Sequence, residues 1–312
     1  MKYLVKFSLI GLALALFISA VVFMRAFFLT DLSKTPLEKE LKEAVYLVSY
    51  ADGPDVFHKN QKMLVYSGIQ KGISYFFNYN KKLIDPKFLE NHKDIFSKKA
   101  GAGLWLWKPW LIMDALKKTP ENSYVFYIDS GFVIKRNLNP ILDSLKTHDM
   151  VLVYYPNKKE FGTLGQSAKR QALIKTNCDT KECFDAPLVW AGMIFMKNTP
   201  RTRNFVNKWL TYCEDPQLLS DSPGPYREHA GKRIFHHYDQ SLLSITYHQN
   251  PEGIALISNM DVAYNNILRW HHRHPSNQDE SLFFDYNKIS ALERYFINLP
   301  MFRKIAGWLY SL

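Results

Sequence analysis

The sequence predicts an α/β domain whose largely parallel sheet is covered by helices on both faces. Three observations carry this. Apolar, β-rich runs without alternation recur at Ala44–Tyr50, Tyr124–Asp129, Asp149–Tyr155 and Leu188–Met196, the pattern of strands buried on both sides. Helical patterns lie between and after them, at Trp105–Leu116, Arg201–Cys213 and Tyr238–Tyr247, and such alternation marks the layered α/β class. The 312 residues are 47% hydrophobic and 15% aromatic, which suits one sizeable core and is too apolar for a disordered chain.

At the amino end, Phe7–Met24 reads FSLIGLALALFISAVVFM without a charge. At 1.5 Å per residue it covers about 27 Å, close to the hydrocarbon thickness of a bilayer. Phe27, Phe28 and Leu29 lengthen it if Arg25 snorkels to the head groups. Residues 1–30 are therefore expected to form a single-pass transmembrane signal anchor. The competing reading is a cleaved signal peptide with Lys2 and Lys6 as its basic region, but no clean small-x-small site follows the run. Basic residues flank both ends, Arg25, Lys34, Lys39 and Lys42 on the far side, so the positive-inside rule leaves the side of the folded domain open.

Residues 31–43, DLSKTPLEKELKE, read as a polar stalk, and the folded body is expected over 44–275. The first strand ends at the turn Ala51-Asp52-Gly53-Pro54, and the second at Asp129-Ser130-Gly131. In open α/β sheets ligands sit beyond the carboxyl ends of the strands, which makes Asp52, Asp129 and Gly131 the first candidates. The tail, 276–312, carries Phe296, Leu299, Phe302, Ile305 and Trp308 with Arg294, Arg303 and Lys304. It suits a membrane interface or a terminal helix packed on the body and interrupted at Pro300.

The formal charge of +11 favours anionic partners. The basic residues are scattered rather than gathered into one arm, so nucleic acid is not expected. No Gly-x-Ser-x-Gly, His-Glu-x-x-His or phosphate-loop motif occurs, which leaves serine hydrolase, zincin and P-loop chemistry unsupported. Cys178 and Cys183 are close enough in sequence to bridge in an oxidising compartment, but three ordinary thiols are the expectation.

Asp129 is the most informative position. A carboxylate at a strand end, beside a glycine that permits close backbone approach, can hold a hard cation on a diphosphate. The bland alternative is an Asp capping its own turn. Lys108, in Trp107-Lys108-Pro109, is either a point charge for a phosphate or a solvated helix-start lysine. Asp239 is either a base or a helix cap. His271, His272 and His274, in RWHHRHP, are the densest histidine cluster; imidazole can ligate Mn²⁺ or pair with phosphate, though the spacing matches no zinc pattern. Trp105, Trp107, Trp110 and Trp190 suit sugar stacking or core packing.

Four segments taken in order resemble the GT-A-fold glycosyltransferases, including the glycogenin-like group and bacterial polysaccharide enzymes. They are GAGLWLWKPWLIMDAL (Gly101–Leu116), YVFYIDSG (Tyr124–Gly131), WAGMIFM (Trp190–Met196) and YDQSLLS (Tyr238–Ser244). The resemblance spans residues 44–275. It implies a GT-A-like mixed, mostly parallel sheet, a nucleotide-sugar donor, a glycan or lipid-linked acceptor, and Mn²⁺ or Mg²⁺. By position Asp129 matches the first acid of the Asp-x-Asp metal motif, Lys108 the helix lysine, Gly192 the sugar-facing glycine, and Asp239 with Gln240 the later pair. Asp129 and Asp239 thus become the expected catalytic residues, and Lys108, Ser130, Gly131, Gly192 and Gln240 the expected donor-binding ones. Asp129, His271 and His272 become the expected metal ligands. Gly131 stands where the second acid of the motif would be, so a two-carboxylate metal site is missing. A non-catalytic nucleotide- or carbohydrate-binding membrane protein of the same fold is the alternative.

Overall fold

A computed structural model describes residues 45–69, 73, 75–134, 138–156, 162–222, 224–229, 233, 235–258 and, for the backbone alone, 268–270. Its main elements in chain order begin with β1 (Val45–Tyr50), α1 (Asp55–Ile69), β2 (Tyr75–Tyr79), α2 (Trp107–Lys118), β3 (Tyr124–Ile128) and β4 (Phe132–Ile134). They continue with β5 (Met150–Tyr154), β6 (Val189–Lys197), α3 (Pro200–Glu214), α4 (Tyr238–Gln249), β7 (Ile254–Ser258) and β8 (Leu268–Trp270). The expected anchor (1–30), stalk (31–43) and tail (276–312) lie outside the described residues. Among those described, no helix is long and apolar enough to cross a membrane.

The six-stranded sheet has the order β2-β1-β3-β6-β5-β7, and β4 pairs with β8 in a separate two-stranded ribbon. β1 runs parallel to β2 and β3, and β5 parallel to β7. β6 runs antiparallel to both β3 and β5. The sheet is therefore mixed and mostly parallel, and the run at Leu188–Met196 is its reversed strand. An unbroken apolar run reports burial on two faces and says nothing of direction.

Both faces are covered. One layer packs Tyr46, Val48, Tyr127, Leu152 and Ile194 against Leu111 and Ile112 of α2, Phe205 and Trp209 of α3, and Leu242 and Ile245 of α4. The other packs Leu47, Phe76, Phe126, Val151 and Phe195 against Leu64 and Val65 of α1 and against Phe132 and Ile134. Alternate residues of each strand serve opposite layers, as the pleat requires.

Two details hold the site-bearing elements. The buried Asn198 donates from Nδ2 to Leu116 O at 2.9 Å and Thr119 O at 3.0 Å, which satisfies carbonyls at the end of α2. Thr199 accepts from Thr202 N and caps α3, with Pro200 at its first position. The expectation of three ordinary thiols is corrected: Cys178 and Cys183 form a disulfide with Cα atoms 5.6 Å apart, and Cys213 is a buried free thiol. The cause is a short helical turn, Lys181–Asp185, capped by Thr180 on Cys183 N, which folds residue 183 back towards 178.

Candidate active site

The site forms where β3 ends and β6 begins. Because β6 runs backwards, its first residues rise at the edge where β3 delivers Asp129, and Asp129 N donates to Gly192 O at 2.8 Å. The α2 and α4 helices pack against each other's neighbours below this edge and send in Lys108 and Asp239. A β-sheet edge and two helix starts thus converge on one spot.

Lys108 lies at the centre, only 3% exposed. Its Nζ is 3.3 Å from Asp129 Oδ1, 3.3 Å from Asp239 Oδ2 and 3.1 Å from Ala191 O. Of these three oxygens Ala191 O accepts a hydrogen bond, and the two carboxylates supply opposite charge. The ammonium also sits over the rings of Tyr127 at 5.3 Å and Trp107 at 5.7 Å. Burial pulls its pKa down, but Asp129 and Asp239 outweigh that and hold it above the usual lysine range. The solvated-lysine alternative is therefore removed. Lys108 is held by protein oxygens rather than by water.

The two carboxylates differ. Asp239 is 4% exposed, and its carboxyl is pushed up to about 6, chiefly by burial, against the pull of Lys108 and with repulsion from Asp129. Its Oδ2 has the Lys108 charge beside it but no well-aligned hydrogen bond. Asp129 keeps 20% of its side chain exposed. Its Oδ1 is taken by Lys108 and by the hydroxyl of Tyr127, which donates to it. Its Oδ2 carries no hydrogen bond among the described residues, and it lies 3.3 Å from the point a Cβ on Gly192 would occupy. That same point is 2.8 Å from Trp190 Nε1. The missing side chain at Gly192 therefore lets the Trp190 indole close in beside Oδ2.

The other expected residues fall around this core. Ser130 and Gly131 make the turn between β3 and β4 and are half-buried. Gln240 Oε1 accepts from Ala191 N at 3.2 Å, fixing the strand whose carbonyl binds Lys108. Asp52 follows β1 at the same sheet edge. Trp190 is half-buried between Phe132 and Tyr155, both with ring centres at 5.4 Å, while Trp107 is buried and stacked on Tyr50 at 4.0 Å. Trp105 meets Tyr238 at 5.4 Å, and Trp110 packs on Phe88. His271, His272 and His274 lie outside the described residues; β8, which precedes them, pairs Trp270 with Phe132 in backbone register.

Tyr127 was absent from the sequence reading. The signal was available: residues 127 and 129 share a strand face by the two-residue period. Tyr155 is a second omission; burial, then Asp129, raises its phenol. His236, in the His-His-Tyr-Asp run, is a core residue. It is held between Lys169 N and Leu218 O and driven by burial to about 3, so it stays neutral.

Among the described residues no three His, Cys, Asp or Glu side chains converge as an all-protein metal cage requires. The donor set fits a narrower mode, in which a hard cation takes one carboxylate oxygen and completes its shell with phosphate oxygens and water. Asp129 Oδ2, outside the Lys108 clamp, would be that oxygen. A cavity of about 460 Å³ lies elsewhere, at the amino ends of β5 and β7, lined by Asp149, Arg201, Lys208 and Glu252 among others. Its one ion pair, Asp149–Arg201 at 3.0 Å, is exposed, and it shares nothing with the Asp129 cluster.

No family model matches the chain, and no curated protein matches its sequence. Among solved structures it is similar to GT-A glycosyltransferases. The apo bifunctional glycosyltransferase WbbM is 14% identical with a TM-score of 0.42, over 72% of this chain and 40% of that one. The galactosyltransferase LgtC, in complex with donor and acceptor sugar analogues, is 11% identical with a TM-score of 0.42, over 86% of this chain and 100% of that one. Mouse xyloside xylosyltransferase 1 is 9% identical with a TM-score of 0.40, over 69% and 85%. The chain thus spans well under half the length of WbbM.

Proposed function

We propose that the chain is a membrane-anchored glycosyltransferase that moves a sugar from a nucleotide-sugar donor to a glycan or lipid-linked acceptor. One observation carries the reading: a buried ammonium clamps two carboxylates at the sheet edge, and the outer one, Asp129, stays one-fifth exposed with its Oδ2 outside the clamp. One lysine against two carboxylates gives a cluster of net charge −1 when all three are ionised. Such a cluster attracts a cation and repels a bare diphosphate. Asp129 would hold Mn²⁺ or Mg²⁺, which supplies charge neutralisation for the departing nucleoside diphosphate.

The side chains divide the remaining work. Lys108 and Tyr127 fix Asp129 from behind, so that its outer oxygen is presented without rotamer search. Asp239 balances Lys108, and burial raises its carboxyl well above the ordinary aspartate range. Gln240 holds the backbone at Ala191, and Gly192 leaves room for the Trp190 indole next to Asp129.

The test is Asp129→Asn in the full chain, assayed for nucleoside diphosphate release from a panel of nucleotide sugars. Turnover is expected to fall on the order of 10²-fold or more with the circular dichroism unchanged; full activity refutes the assignment. Gly131, in place of a second acid, favours the non-catalytic alternative. That reading is supported instead if nucleotide sugars bind in calorimetry but no acceptor gives turnover.

A further inference from the structure

We propose that the folded domain matures and works on the oxidising side of a membrane, with the Cys178–Cys183 bridge as a clasp on the segment that leads to Asp239. The inference is independent of the transferase reading. Both half-cystines are buried, at 2% and 1% exposure, within the core layer that carries α2, α3 and α4. Disulfides form and persist in oxidising compartments and are rare where glutathione keeps thiols reduced. Enclosure this complete also shields the finished bridge, so it is made as the domain folds. Closing it joins the two sulfurs and passes two electrons, with two protons, to an exchanging disulfide of a thiol oxidoreductase.

The turn inside the bridge has a job beyond its own length. Asp179, next to Cys178, accepts from Arg170 Nη2 at 3.1 Å and lies 2.7 Å from His229 Nε2. Arg170 in turn donates from Nη1 to Arg227 O and from its backbone N to Glu228 Oε2. Glu228 and Asp221 both hold Arg233. Lys169 N donates to His236 Nδ1, and His237 N to Ser167 O, one residue pair before α4 begins with Tyr238 and Asp239. A set of contacts therefore leads from the bridged turn, through Arg170, Arg227, Glu228, Arg233 and His237, towards the carboxylate that balances Lys108. The flanking charges of the amino-terminal run leave the side of the folded domain open, and the bridge selects the oxidising one.

The test uses the full chain in sealed membranes of the expressing cell, treated with N-ethylmaleimide before lysis. Without reductant, peptide mass analysis is expected to recover Cys178 and Cys183 as one linked pair, with Cys213 alone alkylated after denaturation. Added protease is expected to reach the folded domain only from the oxidising side. Three alkylated cysteines, or a domain protected on the reducing side, overturns the compartment. In the Cys178→Ser, Cys183→Ser double variant, limited proteolysis within residues 221–237 is expected to speed up on the order of tenfold. An unchanged rate overturns the clasp. Neither readout involves nucleotide binding or turnover, so neither outcome is confused with failure of the proposed activity.

Discussion

Replacing Lys108 by Met removes the ammonium while keeping most of the stem volume. Each ammonium–carboxylate pair spans 3.3 Å, worth about 5 kcal/mol at an effective dielectric constant of ~20. Desolvation of three charged groups offsets most of that sum. The substitution therefore reads the cost of leaving Asp239 buried without its counter-charge, about 3–5 kcal/mol. Urea unfolding of the full chain, followed by tryptophan fluorescence at pH 7.5, measures it. The pH dependence is the sharper signature. The Asp239 carboxyl, already at about 6 against an ordinary 3.8, rises further in the variant. Folded variant then binds a proton that unfolded chain does not, so its stability grows as pH falls towards 4 and the deficit shrinks. A loss below about 1 kcal/mol, or an equal deficit at pH 7.5 and pH 5, refutes the clamp.

The unsubstituted protein carries the same sign at smaller size: stability is expected to rise as pH falls from about 6 to 3.8, and Asp239→Asn to flatten that stretch of the pH profile. Gly192→Ala sets a methyl 2.8 Å from Trp190 Nε1 and 3.3 Å from Asp129 Oδ2. It is expected to cost about 1–3 kcal/mol in unfolding and to weaken nucleoside diphosphate binding in calorimetry. Asn198→Ala strips the donor from carbonyls at the end of α2 and is expected to cost about 1–3 kcal/mol, measured by the same melts, with the pH profile unchanged. Mn²⁺ is expected to tighten nucleoside diphosphate binding in calorimetry, and Asp129→Asn to abolish that linkage without loss of the fold.

Much of the fold was legible because burial leaves a mark in composition. The strands at Tyr124, Asp149 and Leu188 and the three longest helices after residue 100 are within a few residues of their expected bounds. Strands β2 (YFFNY) and β7 (IALIS) and helix α1 were omitted, and neither length nor strength of apolar stripe sets them apart from the elements that were read. Cys178 and Cys183 read as thiols because five residues of separation says nothing about the turn between them.

By itself the sequence determined the layered α/β class, the strand-end position of Asp129 and the lack of a second acid at Gly131. These are local matters of period, turn chemistry and residue identity. Only the tertiary structure decided that β6 runs backwards, which brings Gly192 and Ala191 to the edge where β3 ends. Only it decided that Lys108 is enclosed by Asp129 and Asp239, residues 21 and 131 positions further along the chain. Lysine is soluble and flexible in isolation; what makes it a fixed counter-ion is the exclusion of water by layers contributed from distant segments, and no local pattern encodes that.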